Sequence, residues 1–156
     1  MLKYIRHAEQ TTHRILDPPI ILSKAHSSTQ EEYDYIIVSP YLRTRQTANF
    51  LNTSNKPMYV DVRISEFGGC HPQKHAQKFH ESSLAWGVPP ASTETWAEFT
   101  KRVDEHFEDM KKLSTDRVLV VTHGIVVKYM EEKIHGFSVY KRGRDVPFLS
   151  GITIRE

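Results

Sequence analysis

Three short, mostly apolar runs stand out from a polar chain, at residues 2–5, 35–38 and 118–121, and each ends where residues capable of chemistry begin. Leu2, Tyr4 and Ile5 have the composition of a strand that leads straight into Arg6 and His7. The runs Tyr35-Ile36-Ile37-Val38 and Val118-Leu119-Val120-Val121 are unbroken, the pattern of parallel strands covered on both faces. The first stops at Ser39-Pro40, where proline ends pairing, and the second at Thr122-His123-Gly124. Residues 58–62 and 149–154 are two further strand candidates.

Between these runs the period changes. Over residues 41–51, Leu42, Thr47, Ala48 and Leu51 share one helical face, with Arg43 near the first turn. A long amphipathic helix beginning at residues 93–96 places Trp96, Phe99, Val103, Phe107 and Met110 on a core stripe. A third helix, residues 125–134, turns Ile125, Val126, Tyr129 and Met130 inward. Residues 17–23 read as a proline-shaped loop leading to an N-cap at Ser23, residues 24–32 as a short helix or exposed connection, and 141–145 as a turn. From about 67 to 92 the pattern breaks at Phe67-Gly68-Gly69 and gives way to His, Gln, Ser and Pro, as expected of a loop or lid over the strand ends. Strand and helix alternate without repeats or a linker, which predicts one α/β domain over residues 1–156.

Composition narrows the setting. With 38% hydrophobic and 26% charged residues, a chain of this length buries a single ordinary core. No apolar run is long enough to span a bilayer and no signal-peptide pattern opens the chain, so no membrane association is expected. Cys70 stands alone, which precludes an intrachain disulfide and points to a reducing, cytoplasmic location. A net charge of +2 is too small to indicate a nucleic-acid partner.

The nine histidines need separate readings. Cys70, His71, His75 and His80 hint at a metal, but Pro72 disfavours the helix that would align His71 with His75, and a solvated loop is expected. His26, His106 and His135 read as surface residues, Trp86 and Trp96 as packing, and Lys141, Arg142 and Arg144 as a solvated turn. His7 and His123 each follow a predicted strand, and from the residues alone they could also be partly buried structural histidines. In open α/β folds chemistry collects beyond the carboxyl ends of the strands. If those strands are neighbours, two imidazoles and the guanidiniums of Arg6 and Arg43 converge on a pocket whose natural guest is a phosphate. Gly124 would let backbone approach such an anion closely.

Arg6-His7-Ala8-Glu9, the ten residues from Ser39-Pro40 to Thr47-Ala48, Glu66, and Val121-Thr122-His123-Gly124 together resemble the histidine phosphatase superfamily, phosphoglycerate-mutase-like branch. Residues 17–23 are similar to that branch's Asp-x-Pro-Leu-Thr loop, and Thr93-Glu94-Thr95 through Arg102 to its Gly-Glu-Ser helix start. The resemblance implies a three-layer α/β/α sandwich with a mostly parallel central sheet. It implies that His7 takes the phosphoryl group, that Arg6, Arg43 and His123 hold its oxygens, and that Glu66 is the general acid, with Glu9 and Glu81 as rival carboxylates. His13 stands near where the family carries a phosphate-contacting asparagine, so His13 and Gly124 are candidate substrate contacts. Ala8 replaces the usual glycine after the nucleophile; its single methyl should be tolerated, although it crowds the backbone there.

The activity implied is a metal-independent and cofactor-free phosphatase acting on a phosphorylated small molecule or phosphopeptide. Phosphoglycerate-mutase-type transfer is the alternative in chemistry, disfavoured by the short insert and the lack of a long tail after the last strand. A phosphate- or phosphoprotein-binding module without turnover is the alternative in class. The intact His7, Arg43, Glu66 and His123 argue against it.

Overall fold

Alternate residues of the central strands enter two different hydrophobic layers, and that alternation builds the molecule. The computed structural model describes residues 1–11, 18–21, 32–67, 94–113 and 116–154. Its elements are β1 (Leu2–Arg6), β2 (Tyr35–Val38), α1 (Leu42–Leu51), β3 (Met58–Val60), a 3₁₀ turn (Val62–Ile64), α2 (Trp96–Lys111), β4 (Val118–Thr122), α3 (Gly124–His135), a second 3₁₀ turn (Gly143–Asp145) and β5 (Gly151–Ile154). The strands lie in the order β3-β2-β4-β1-β5, parallel except for β5, which runs antiparallel beside β1.

Ile5, Val121 and Val38 sit side by side across three strands and pack with Ala48 and Leu51 of α1. One residue earlier, Tyr4, Val120 and Ile37 form the opposite row and pack with Phe99, Val103 and Phe107 of α2 and with Val126, Val127 and Met130 of α3. This is the three-layer α/β/α sandwich, one helix on one face and two on the other. Thr95 caps α2 in a capping box with Glu98, and α3 ends at Gly136 in the left-handed region, φ 78°.

Several boundaries differ from those the pattern predicts. The third strand pairs only at residues 58–60, because Asp61 accepts a hydrogen bond from the Arg63 backbone and turns the chain into a 3₁₀ turn. The last strand starts at Gly151, since Leu149 (φ 60°) and the bond from Ser150 N–H to the Pro147 carbonyl hold a turn before it. His106 is fully buried, not on the surface: it lies beneath the sheet with its ring 5.7 Å from that of Tyr4. His135 is exposed, as expected. Trp96 packs in a cluster with Phe67, Phe99 and Tyr129, as a packing residue should, although its outer face meets solvent. Ser23, most of residues 24–32, and nearly all of the 67–92 excursion with Trp86 lie outside the described residues.

Candidate active site

The sheet order makes β2, β4 and β1 neighbours, and their register makes their ends level. Arg6 pairs with Thr122 and Val38 with Val121. Beyond these pairs, the His7 N–H donates to the Thr122 carbonyl at 2.9 Å and the Ser39 N–H to the Val121 carbonyl at 3.1 Å. The imidazoles of His7 and His123 therefore stand edge to face, 5.5 Å between centroids.

Arg43 joins them. The turn after β2 is tied by the Thr44 hydroxyl, which donates to the Ser39 and Tyr41 carbonyls, so α1 begins at once and its second residue faces the strand ends. Arg43 is 6% exposed. Its Nε donates to His7 Nε2 at 3.2 Å, its Nη2 lies 3.2 Å from His123 Nδ1, and its guanidinium rests on the Tyr41 ring at 4.6 Å.

The protonation of His7 follows from its partners. Nδ1 lies 2.7 Å from the Ala8 carbonyl, which can only accept, so Nδ1 carries the proton and the Nε2 lone pair, at the cleft edge, accepts from Arg43 Nε. That is the tautomer a nucleophile needs. His123 is fully buried, and burial, followed by the charges of Arg43 and His7, pushes its pKa well below the ordinary imidazole value. Its Nε2 lies 2.8 Å from the Ser39 hydroxyl.

Arg6 extends from the end of β1 along the neighbouring turn, its Nη1 donating to the Arg144 carbonyl at 2.9 Å and the Val146 carbonyl at 2.5 Å. Its guanidinium stacks at 4.0 Å on Phe148. Burial, then the nearby charge of Arg43, depresses its pKa, while Glu66 opposes that change. Glu66 completes the group, 3.5 Å from His123 Nδ1 and 3.7 Å from Arg43 Nη2, with its side chain 37% exposed. Arg6, His7, Arg43 and Glu66 border a cleft of about 920 Å³, and the fully buried His123 adjoins it through Arg43 and Glu66. Gly124, Phe67, Phe148 and the 142–145 turn supply other parts of its wall, so Arg142 and Arg144 face the cleft as well as solvent.

Of two glycine questions, the first resolves as expected and the second does not. Ala8 is buried without strain, its N–H donating to the Thr47 hydroxyl at 2.9 Å and its φ outside the left-handed region, so a glycine is not required there. Gly124 lines the cleft, but a Cβ on it would stand 1.9 Å from the Gly143 carbonyl. Close packing of that turn on the start of α3 demands the glycine, independently of any ligand.

His13 and Glu81 lie outside the described residues, as do Cys70, His71, His75, His80 and His26, and Glu9 does not line the cleft. The pattern reading missed the residues behind Glu66. Asp61 accepts from His106 Nδ1 at 2.9 Å and from Arg63, which also donates to Asp109 at 2.7 Å. Burial alone would raise the Asp61 pKa, but the bonds from His106 and Arg63 hold it far below the usual carboxylate range. Arg102 pairs with the buried Glu94 and donates to the carbonyls of residues 63, 65 and 66. Arg102, His106 and Asp109 follow i, i+4, i+7 along α2, a polar stripe beside the apolar one that the spacing alone could have shown.

A family model described as the histidine phosphatase superfamily (branch 1) matches residues 23–146. The match begins after Arg6 and His7. Among solved structures with the same fold, a phosphoglycerate mutase from Bacillus anthracis str. Sterne is 15% identical, with 97% of this chain and 91% of that chain covered and a TM-score of 0.65. A phosphoserine phosphatase from Entamoeba histolytica, solved with 3-phosphoglyceric acid, is 19% identical, covering 88% and 80% at a TM-score of 0.62. The alpha-ribazole phosphatase from Shigella flexneri is 16% identical, covering 91% and 86% at 0.59. No curated protein sequence matches this chain.

Proposed function

We propose that this chain, which belongs to the histidine phosphatase superfamily (branch 1), is a phosphomonoesterase that works through a phosphohistidine on His7. The observation that carries the reading is Arg43 set between two imidazoles, 3.2 Å from each, with the Glu66 carboxylate beside them. Such a cluster favours a bound oxyanion and supplies a nucleophile and an acid at its edge.

In the proposed reaction the lone pair of His7 Nε2 attacks phosphorus as the bond to the ester oxygen breaks. Glu66 gives that oxygen its proton, and the alcohol leaves. Water then attacks the phosphohistidine, Glu66 takes a proton from it, and inorganic phosphate departs with His7 restored. Arg6, Arg43 and His123 hold the charge on the transferring oxygens, so the proposal invokes neither metal nor cofactor. Phosphatases and a mutase alike share the fold; a phosphatase is favoured by the short insert of residues 67–92, which is poorly suited to keeping water from a phosphorylated intermediate. The substrate proposed is a phosphorylated small molecule or phosphopeptide. Among the described residues no helix is long and apolar enough to cross a membrane, and the lone Cys70 supports a cytoplasmic location.

The test is His7→Ala. It should abolish hydrolysis of 4-nitrophenyl phosphate, and the wild type alone should acquire acid-labile phosphate on incubation with substrate. Full activity in the variant would end the proposal. Transfer between the 2- and 3-positions of phosphoglycerate, faster than release of phosphate, would establish mutase chemistry instead.

A further inference from the structure

The strip of chain that carries Glu66 pairs with no strand. Residues 61–67 contain one 3₁₀ turn, and their carbonyls need donors from elsewhere. Thr122 provides one, its hydroxyl donating to the Ile64 carbonyl at 2.7 Å. Ser65 serves the Val62 carbonyl from within the strip, and Arg102 serves three more. Its Nη1 donates to the carbonyls of Arg63 at 2.6 Å and Ser65 at 2.9 Å, and its Nη2 to that of Glu66 at 2.9 Å.

The guanidinium cannot drift, because its other edge is held in turn. Nε donates to Glu94 Oε1 at 2.5 Å and Nη2 to Oε2 at 2.9 Å, a two-pronged pair with a carboxylate whose side chain is 2% exposed. One face of the fork also rests on the Phe99 ring, 4.8 Å away. A planar group clamped this way transmits the position of α2 to three successive points of the Glu66 strip.

We infer that Arg102, locked by Glu94, is a positioning residue for Glu66: it sets where the acid stands relative to the departing oxygen. The inference rests on the phosphatase reading and on Glu66 as the acid. The Glu66 carboxylate itself is half-exposed: Oε1 accepts from the Phe67 N–H of its own strip at 3.2 Å, and Oε2 makes only stand-off contacts of 3.5 and 3.7 Å with His123 and Arg43. Its place therefore depends on the backbone that bears it, and a misplacement of about 1 Å costs on the order of a hundredfold in rate. The charge of Arg102 is also felt at His123, where it adds to the forces keeping that ring neutral.

A structural brace and a positioning residue are separated by leaving group. The readout is kcat/KM, which reports the step forming phosphohistidine, measured with ethyl phosphate, whose alkoxide needs a proton, and with 4-nitrophenyl phosphate, whose phenolate does not. Glu66→Gln should lose far more on the first. Arg102→Gln should follow it, falling about a hundredfold on ethyl phosphate but within about threefold on 4-nitrophenyl phosphate. Added to Glu66→Gln it should cause no further loss on ethyl phosphate. Arg102→Lys keeps the charge without the fork and should behave like Arg102→Gln; full rescue by lysine would overturn the inference in favour of charge alone. Equal losses on both substrates, with a lowered Tm, would overturn it in favour of a brace. Glu94→Gln, which loosens the fork and leaves its carbonyl contacts in place, should show the same selectivity more weakly and serves if the Arg102 variants do not fold. If Glu66→Gln itself fails to discriminate, the acid assignment falls, and that result is read without any Arg102 variant.

Discussion

Among the described residues, one polar cluster lies at the strand ends and another between α2 and the Glu66 strip, and they are built on opposite rules. In the second, each cation meets a carboxylate at close range: Arg102 with Glu94 at 2.5 Å, Arg63 with Asp61 at 2.8 Å and with Asp109 at 2.7 Å, and His106 with Asp61 at 2.9 Å. In the first, Arg43 donates to imidazole nitrogens, Arg6 to backbone carbonyls, and Glu66 stands off at 3.5 and 3.7 Å. Matched charges satisfy one another and fix a conformation. Where Glu66, a described carboxylate, stands off from the cations instead of closing on them, the cluster can admit an anion.

Breaking each cluster should therefore have different consequences. The largest effect is expected from Arg43→Ala, which removes the shared donor of both imidazoles. Steady-state assays should show kcat/KM down about a thousandfold, while thermal unfolding shifts by only a few degrees, since a cation that crowds His123 is lost with it. A large fall in Tm with modest loss of activity would reverse the comparison. Next in size is Asp61→Ala, which strips His106 and Arg63 of their common acceptor. Denaturant titration should show about 2 kcal/mol of lost stability, with activity changed less than by any strand-end variant. The smallest effect separates the clusters by pH. His123 has a folded-state pKa below its unfolded value, so on acidification the unfolded chain takes up a proton that the folded chain refuses. Stability contributed by this site is whole above about pH 6.5 and declines below it, by about 1 kcal/mol per pH unit. His123→Asn should flatten that slope, and an unchanged slope would show that other groups set it.

Much of this arrangement was open to reading from the chain. The unbroken apolar runs 35–38 and 118–121 announced strands buried on both faces, and their abrupt ends pointed to Arg43 and His123, as the end of the run at residues 2–5 pointed to His7. The α2 core stripe was equally plain, with Phe99, Val103 and Phe107 buried. His106 was misread because spacing assigns a face, whereas burial of a polar ring depends on a partner, here Asp61, which arrives from a segment 45 residues away. Glu66 was found through resemblance, since a 3₁₀ turn and a stretch without strand pairing carry no periodicity to read. The glycine at 124 was legible as a close approach, but the approaching atom is the Gly143 carbonyl and the sequence gives no sign of it.

The level register of β1 and β4 makes the nucleophile's location a matter of parity. Arg6 and His7 alternate in direction, so sliding β1 by a single residue against β4 would present a guanidinium where the imidazole belongs. A slide of two would restore the facing but displace the ring by about 6.6 Å along the sheet. Neither an odd nor an even step is harmless, so no insertion or deletion within this five-residue strand should leave turnover intact.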